Sequence, residues 1–273
     1  MQGATNAAPA RLVGQSGLRA TVSDVIAPPG FEWIRDGRTT FLVRSDVRSW
    51  IVPLLRAATS DQSSHVSGEL VGGRGGARIV RGNGHAVVVR PYRRGGVPAW
   101  VLRDTYFGRR PRPFRELFLS EMLRLQGVPV AEVYGASVRW LAPGCYRGWL
   151  VTRYVHGART FWEWAQTPVS TEERAAVLRR IGAATRQLHD SGVRHPDLNL
   201  NNILVCRRAE APHGCEVCFI DFDRARHGAR LWWRPTADLA RLRRSARKLD
   251  PAGRYVTAAD LDRIEAEYRD ARP

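Results

Sequence analysis

Lysine is all but missing from this chain of 273 residues: Lys248 is the only one, and arginine supplies the rest of the 43 basic side chains. Any chemistry that needs a lysine upstream of Lys248 is therefore closed to it. Acids are scarce too, 26 Asp and Glu against those 43, which leaves a formal net charge of +17. A genomic bias towards arginine codons explains the missing lysines but not the excess of bases. That excess draws the protein to anionic partners: nucleic acid, anionic phospholipid or a phosphorylated substrate. The four cysteines, Cys145, Cys206, Cys215 and Cys218, form no disulfide framework and suit a reducing compartment. Cys215-Glu-Val-Cys218 has metal-ligand spacing, with His213 close by and Cys206 upstream. It runs straight into an apolar strand, however, so packing thiols are expected rather than a zinc site. No uncharged apolar run approaches the roughly 20 residues that span a bilayer. Met1 to Ala20 lacks the apolar centre of a secretory signal, so a cytoplasmic location is expected.

What is present is concentrated in one stretch, His195-Pro-Asp-Leu-Asn-Leu-Asn-Asn202, followed by the apolar Ile203-Leu204-Val205 and then Phe219-Ile-Asp221-Phe222-Asp223. An aspartate stands five residues before an asparagine. After a gap long enough for a β-hairpin, a second aspartate closes an apolar run. Phosphoryl transfer by the protein-kinase plan needs these parts in this order. Asp197 would accept or orient the proton of an attacking hydroxyl, and Asn202 and Asp221 would hold the Mg²⁺ ions that bridge the phosphates of ATP. His195 is expected to brace the loop through hydrogen bonds, and His189 to cap its helix.

The rest of the chain supplies the context such a loop requires. Residues 1–24 lack periodicity and read as a loose tail. Thr40-Phe-Leu-Val43 is strand-like and 59–65 is loop-like. Gly72 to Gly76 is glycine-rich, and the pair Gly75 and Gly76 would let backbone N–H groups approach phosphates. Gly82-Asn-Gly84 marks a hairpin into the strand from His85 to Arg90. Residues 113–126 read as a helix with Glu116, Leu119 and Leu123 at i, i+3 and i+7, which turns the carboxylate inward. Gly127-Val-Pro-Val130 ends it. Trp149 to Val155 is a strand, and Arg153 to Gly157 reads as a hinge. Ser170-Thr-Glu-Glu173 is a capping box before a helix carrying Val177, Ile181, Ala184 and Leu188. Further helices are expected from Thr236 and over Thr257 to Asp270. The nine tryptophans are core residues by default, with Trp162 and Trp164 candidates for an acceptor-facing or membrane-facing surface.

Taken together, the chain resembles the lipopolysaccharide kinase family, and within it the kinases of 3-deoxy-D-manno-octulosonic acid (Kdo). The resemblance runs from about Gly72 to Leu249. It rests on Val89-Arg-Pro-Tyr-Arg-Arg-Gly-Gly96, Leu102-Arg-Asp-Thr-Tyr106, Phe114-Arg-Glu116, Gly127-Val-Pro-Val130, His195 through Leu204, Ile220-Asp-Phe-Asp-Arg224 and Asp238-Leu-Ala-Arg-Leu-Arg-Arg-Ser245. It implies ATP-dependent phosphorylation of a Kdo hydroxyl on an anionic lipid A precursor. The setting it implies is the cytoplasmic face of the inner membrane of a Gram-negative bacterium, with the protein held peripherally by the anionic surface. Arg93, Arg94 and Arg103 are the expected grips on substrate carboxylates and phosphates. Arg90 stands where the strand lysine of protein kinases would be, paired with Glu116. Asp223 replaces the usual glycine of the metal loop and would bind metal through water or hold the loop by repulsion.

The expected fold is α+β, a two-lobed protein-kinase-like architecture with a β-rich small lobe over 25–156 and a helical lobe over 157–273 carrying the catalytic loop and acceptor site. Two other readings fit parts of the sequence. Another sugar or small-molecule kinase, of heptose or aminoglycoside type, would use the same Asp197, Asn202 and Asp221. A non-catalytic basic module would explain the charge, although no nucleic-acid motif is present and no nucleic-acid or obligate protein partner is expected.

Overall fold

The computed structural model describes residues 25–60, 69–70, 76–82, 84–93, 104–207, 215–228 and 236–271. The expected tail over 1–24 and the site candidates Gly75, Arg94 and Arg103 lie outside the described residues. The N-terminal part is built on an eight-stranded antiparallel sheet. Its strands are β1 (Phe31–Asp36), β2 (Thr39–Arg44), β3 (Glu69–Leu70), β4 (Arg78–Gly82), β5 (His85–Pro91), β6 (Tyr106–Phe107), β7 (Val133–Ala142) and β8 (Cys145–Arg153). They are ordered β1-β2-β7-β8-β5-β4-β3, with β6 pairing beside β8. Helices α1 (Arg48–Thr59) and α2 (Arg112–Leu125) accompany this sheet.

Alternation along the strands fills both faces of the sheet. Leu42, Ala136, Val138 and Leu150 pack with Phe114 and Leu117 of α2. Phe41, Val43, Val87, Val89 and Val151 pack with Ile51, Val52 and Leu55 of α1. α1 is a substantial element that the sequence did not announce. It carries Pro53 in its interior, which normally argues against a helix. Its buried residues Ile51, Val52, Leu55 and Ala58 nevertheless keep helical spacing, and burial of that stripe against the sheet outweighs the missing hydrogen bond.

The C-terminal part holds one core. Its elements are β9 (Arg159–Thr160), α3 (Phe161–Ala165), α4 (Thr171–Asp190), β10 (Val193–Arg194), β11 (Ile203–Arg207), β12 (Cys215–Phe219), β13 (Arg226–His227), α5 (Thr236–Leu249) and α6 (Ala258–Asp270). β11 and β12 form the expected hairpin, and β10 pairs with β13. The two parts meet where α2 ends: Leu123 and Val128 join the C-terminal core. There the Phe219 N–H donates to the Pro129 carbonyl at 2.8 Å.

Local predictions are corrected at three places. Ser170 does cap α4, its hydroxyl accepting the Glu173 N–H at 3.1 Å. The Glu173 carboxylate does not reach back to complete the box, because Arg207 holds it at 2.8 Å and the Trp164 Nε1–H at 3.4 Å. Trp164 is itself a core residue, 5% exposed, and forms no open surface, whereas Trp162 is half-buried with its ring against Tyr255. His189 is no cap: it is buried, with Nδ1 3.0 Å from the Tyr268 hydroxyl and Nε2 3.3 Å from Asp238.

α4 and α6 cross closely at Gly182. A Cβ there would lie 2.6 Å from the Ile264 carbonyl oxygen and 2.9 Å from the Tyr268 nitrogen, both backbone atoms. Gly182→Ala gains about 1 kcal/mol of helix propensity, but forcing the helices apart costs about 1–3 kcal/mol. The expected result is a lower urea midpoint with an unchanged slope. A raised midpoint would show that the helices are free to part.

Candidate active site

The loop from His195 to Asn202 is fixed from beneath by its own leucines and from behind by buried polar contacts. Leu198 and Leu200 are fully buried, whereas Asp197 and Asn199 are half-buried and Asn201 is exposed. The main-chain carbonyl of Asp197 accepts both the Asn199 amide at 2.8 Å and the Asn202 amide at 2.9 Å. The side-chain nitrogen of Asn202 thus serves the loop. The Ile220 N–H donates to the Asn202 carbonyl at 3.0 Å, tying the loop to the strand that delivers Asp221.

His195 braces the loop as expected. It is fully buried, with Nε2 3.1 Å from the Ile220 carbonyl and its ring centroid 4.9 Å from that of Phe222. Facing a carbonyl, Nε2 carries the proton, and burial pushes the imidazole pKa below its ordinary value, so the ring is neutral. The His195 N–H donates to Asp238 at 2.7 Å, and Asp238 also meets His189 and, at 3.4 Å, Arg194. Burial alone would raise the carboxyl of Asp238. These partners outweigh it and hold the group below the usual carboxylate range.

Asp221 is the only non-glycine residue with positive φ among the described residues, at +67°. That costs of order 1–3 kcal/mol, and strain of this kind points to a required side-chain direction. Its Oδ1 meets Nη1 of Arg90 at 3.1 Å, while Nη2 of Arg90 lies 2.6 Å from both oxygens of Glu116. Glu116 also accepts the Phe222 N–H at 3.1 Å and the hydroxyl of Tyr92. Burial pushes the Glu116 carboxyl up, and Arg90 opposes this. Burial disfavours the Arg90 charge as well, but the negative groups around it keep its pKa well raised. Every contact to Glu116 comes from a donor, which is the environment of a carboxylate anion. β5, α2 and the Asp221 loop are therefore joined at one node, built on the buried Glu116 and open to solvent on the Asp221 side.

Asp223 is neither free nor merely repulsive: Arg112 at the start of α2 binds it at 2.9 Å. Gly76, at φ +67°, has the exposed Arg93 guanidinium where its Cβ would stand. The structure thus links Asp197, Asn202, Asp221, Arg90 and Glu116 through shared elements. It sets Gly76 and Arg93 against each other, with no contact between this pair and that group among the described residues. Sequence reasoning assigned no role to Tyr92, Arg112, Asp238 or Arg241, although the first two flank the Arg90 and Glu116 motifs.

Cys206 and Cys215 are buried and Cys218 is half-buried in the β11–β12 hairpin. Cys215 approaches the Glu173 carboxylate at 3.6 Å, and burial pushes the Cys218 thiol up to about 12. His213, named with them as a candidate ligand, lies outside the described residues. No helix among the described residues is long and apolar enough to cross a membrane.

Comparison with known proteins agrees with this geometry. The family model described as lipopolysaccharide kinase (Kdo/WaaP) matches residues 57–268. A 3-deoxy-D-manno-octulosonic acid kinase of Xanthomonas campestris pv. campestris is 37% identical over 205 residues, 72% of this chain and 76% of the relative. Proteins of the same name from Actinobacillus succinogenes and Pasteurella multocida are each 34% identical, over 58% and 59% of this chain. The match spans slightly less than two thirds of their own lengths, 64% and 65%. Among solved structures, WaaP in complex with acyl carrier protein superposes with a TM-score of 0.56 at 18% identity, covering 85% of this chain and 89% of that one, which supports the two-lobed kinase-like fold. By the extent of the family match, the chain belongs to the lipopolysaccharide kinase (Kdo/WaaP) family.

Proposed function

We propose that this protein transfers the γ-phosphoryl group of ATP to a hydroxyl of Kdo on a lipid A precursor. The observation that carries the reading is the node in which Arg90 joins the buried Glu116 to Asp221, next to the loop that carries Asp197 and Asn202. The acceptor oxygen forms its bond to the γ-phosphorus as the bond to the β,γ-bridging oxygen breaks. ADP leaves with that electron pair. The hydroxyl proton passes to the carboxylate of Asp197 and on to solvent, without a phosphoenzyme.

Asp221 and the side-chain oxygen of Asn202 are hard ligands suited to Mg²⁺, which takes one or two protein oxygens and completes its shell with phosphates and water. Bound there, the ion would neutralise charge on the ATP phosphates. Arg90 substitutes for the missing lysine, directing its fork at Glu116 and at the α- and β-phosphates. Gly75 and Gly76 would bring backbone N–H groups to the phosphates. Arg93, Arg94 and Arg103 would bind the acceptor's carboxylates and phosphates. The lobe boundary falls near 156/157. A net charge of +17 favours peripheral residence at the anionic cytoplasmic face of the inner membrane.

The test is transfer of label from ATP to a Kdo-bearing lipid A precursor, followed by mild acid to release Kdo. Label should leave with the sugar. Label remaining on the lipid A portion would sink the assignment.

A further inference from the structure

Between Asp197 and Asn202 the loop carries Leu198, Asn199, Leu200 and Asn201, and therefore no cation of its own. Asn199 is already spent, its amide nitrogen on the Asp197 carbonyl and its oxygen on the Asn201 N–H at 2.9 Å. Arg90 pairs with Glu116 and Asp221, and the reading above turns it to the α- and β-phosphates rather than to the acceptor hydroxyl. Phosphoryl transfer nonetheless gathers negative charge where the hydroxyl, the aspartate and the γ-phosphate converge, and arginine is the side chain that meets it best.

The cation that meets Asp197 comes from α5. Nη2 of Arg241 lies 2.7 Å from Oδ1 of Asp197. This arginine is no wandering surface group, because α5 reads the loop with one face. Asp238, Arg241 and Ser245 fall at i, i+3 and i+7, stacked along the helix. Asp238 takes the His195 N–H at 2.7 Å, and the Ser245 hydroxyl accepts the Leu200 N–H at 3.3 Å. The helix is thus pinned to the loop on both sides of Arg241. The guanidinium straddles two environments: its side chain is 42% exposed as a whole, yet Nε is buried with no acceptor among the described residues. Only Oδ1 of Asp197 is engaged, so Oδ2 has no protein partner among them.

We infer that Arg241 is the positioning residue of the reaction: it holds Asp197 by Oδ1 so that Oδ2 points to the acceptor hydroxyl, and supplies from α5 the positive charge that the loop lacks. The inference rests on the phosphotransfer reading above. It gives the Asp238-Leu-Ala-Arg241-Leu-Arg-Arg-Ser245 motif a function, with the helix face serving as the template of the loop.

The experiment compares wild type, Arg241→Gln and Arg241→Lys on the Kdo-bearing acceptor, and on ATP hydrolysis without acceptor. Arg241→Gln should lower kcat by about 10–100-fold, with the KM for ATP and the Tm unchanged, since an aspartate no longer aimed weakens general-base assistance. Arg241→Lys should recover part of the loss, because an ammonium keeps the charge but not the planar fork. Unchanged kcat in Arg241→Gln would overturn the inference. So would equal losses in both variants accompanied by a lower Tm, which is the signature of a strut. Hydrolysis by wild type without transfer to the Kdo acceptor would count against the acceptor, and the Arg241 comparison would then be read on hydrolysis.

Discussion

Asp197→Asn is expected to lower kcat by about 10²–10⁴-fold, the range general-base removal commands, while ATP affinity changes by no more than a factor of a few. The substitution is nearly isosteric, and the loop contacts of residue 197 run through its main-chain carbonyl, which holds the amides of Asn199 and Asn202. Those contacts survive, so the oxygen of Asn202 stays where it is and nucleotide binding persists. What goes is the proton acceptor, together with the charge that Arg241 faces at 2.7 Å. Calorimetry of ATP binding beside steady-state kinetics separates the two effects. Full turnover would show that the proton leaves by another route. Loss of ATP binding in step with turnover would show that the residue holds nucleotide.

Arg90→Met should be the most damaging change to the fold. Glu116 is 4% exposed, and without Arg90 it keeps only the Tyr92 hydroxyl and the Phe222 N–H. Breaking a buried pair from one side costs about 3–5 kcal/mol. The cost should depend on pH in a definite sense. Burial already pushes the Glu116 carboxyl up, with Arg90 opposing, and removing Arg90 raises it further. The folded state then binds more protons than the unfolded state above the unfolded glutamate pKa of about 4.3, so stability falls as pH rises from there through the raised folded value. Urea unfolding of Arg90→Met at mildly acid and mildly alkaline pH should show the larger deficit at the alkaline end. Turnover should fall by about 10²–10³-fold, as when a preorganised donor is removed from a charge-stabilising site, because Asp221 also loses its anchor. A variant as stable as wild type at both pH values would mean that Glu116 is not held as an anion.

The fold was readable wherever local pattern and tertiary demand agree. The helix expected over 113–126 is α2 (Arg112–Leu125), the hairpin signal at Gly82 joins β4 to β5, and Thr257 caps α6 with its full capping box. Reading failed where a distant partner decides. Pro53 masks α1, whose stability comes from the sheet beneath it. His189 looks like a helix-end cation until α5 and α6 bury it. That Asp197, Asn202 and Asp221 lie on linked segments was legible because the spacing between them is local to one loop and one hairpin. Their partners were not: Arg112 and Asp223 are 111 residues apart and Arg241 is 44 from Asp197, and no local rule pairs them. A periodic reading of the Asp238 motif would have set Asp238, Arg241 and Ser245 on one helix face, but not against which loop.

The central claim is that the acceptor is Kdo. It is tested most directly by offering radiolabelled ATP and Mg²⁺ with two acceptors, a lipid A precursor bearing Kdo and the same precursor without it. Label should enter the first alone. Label in both, or in the Kdo-free precursor only, would contradict the account.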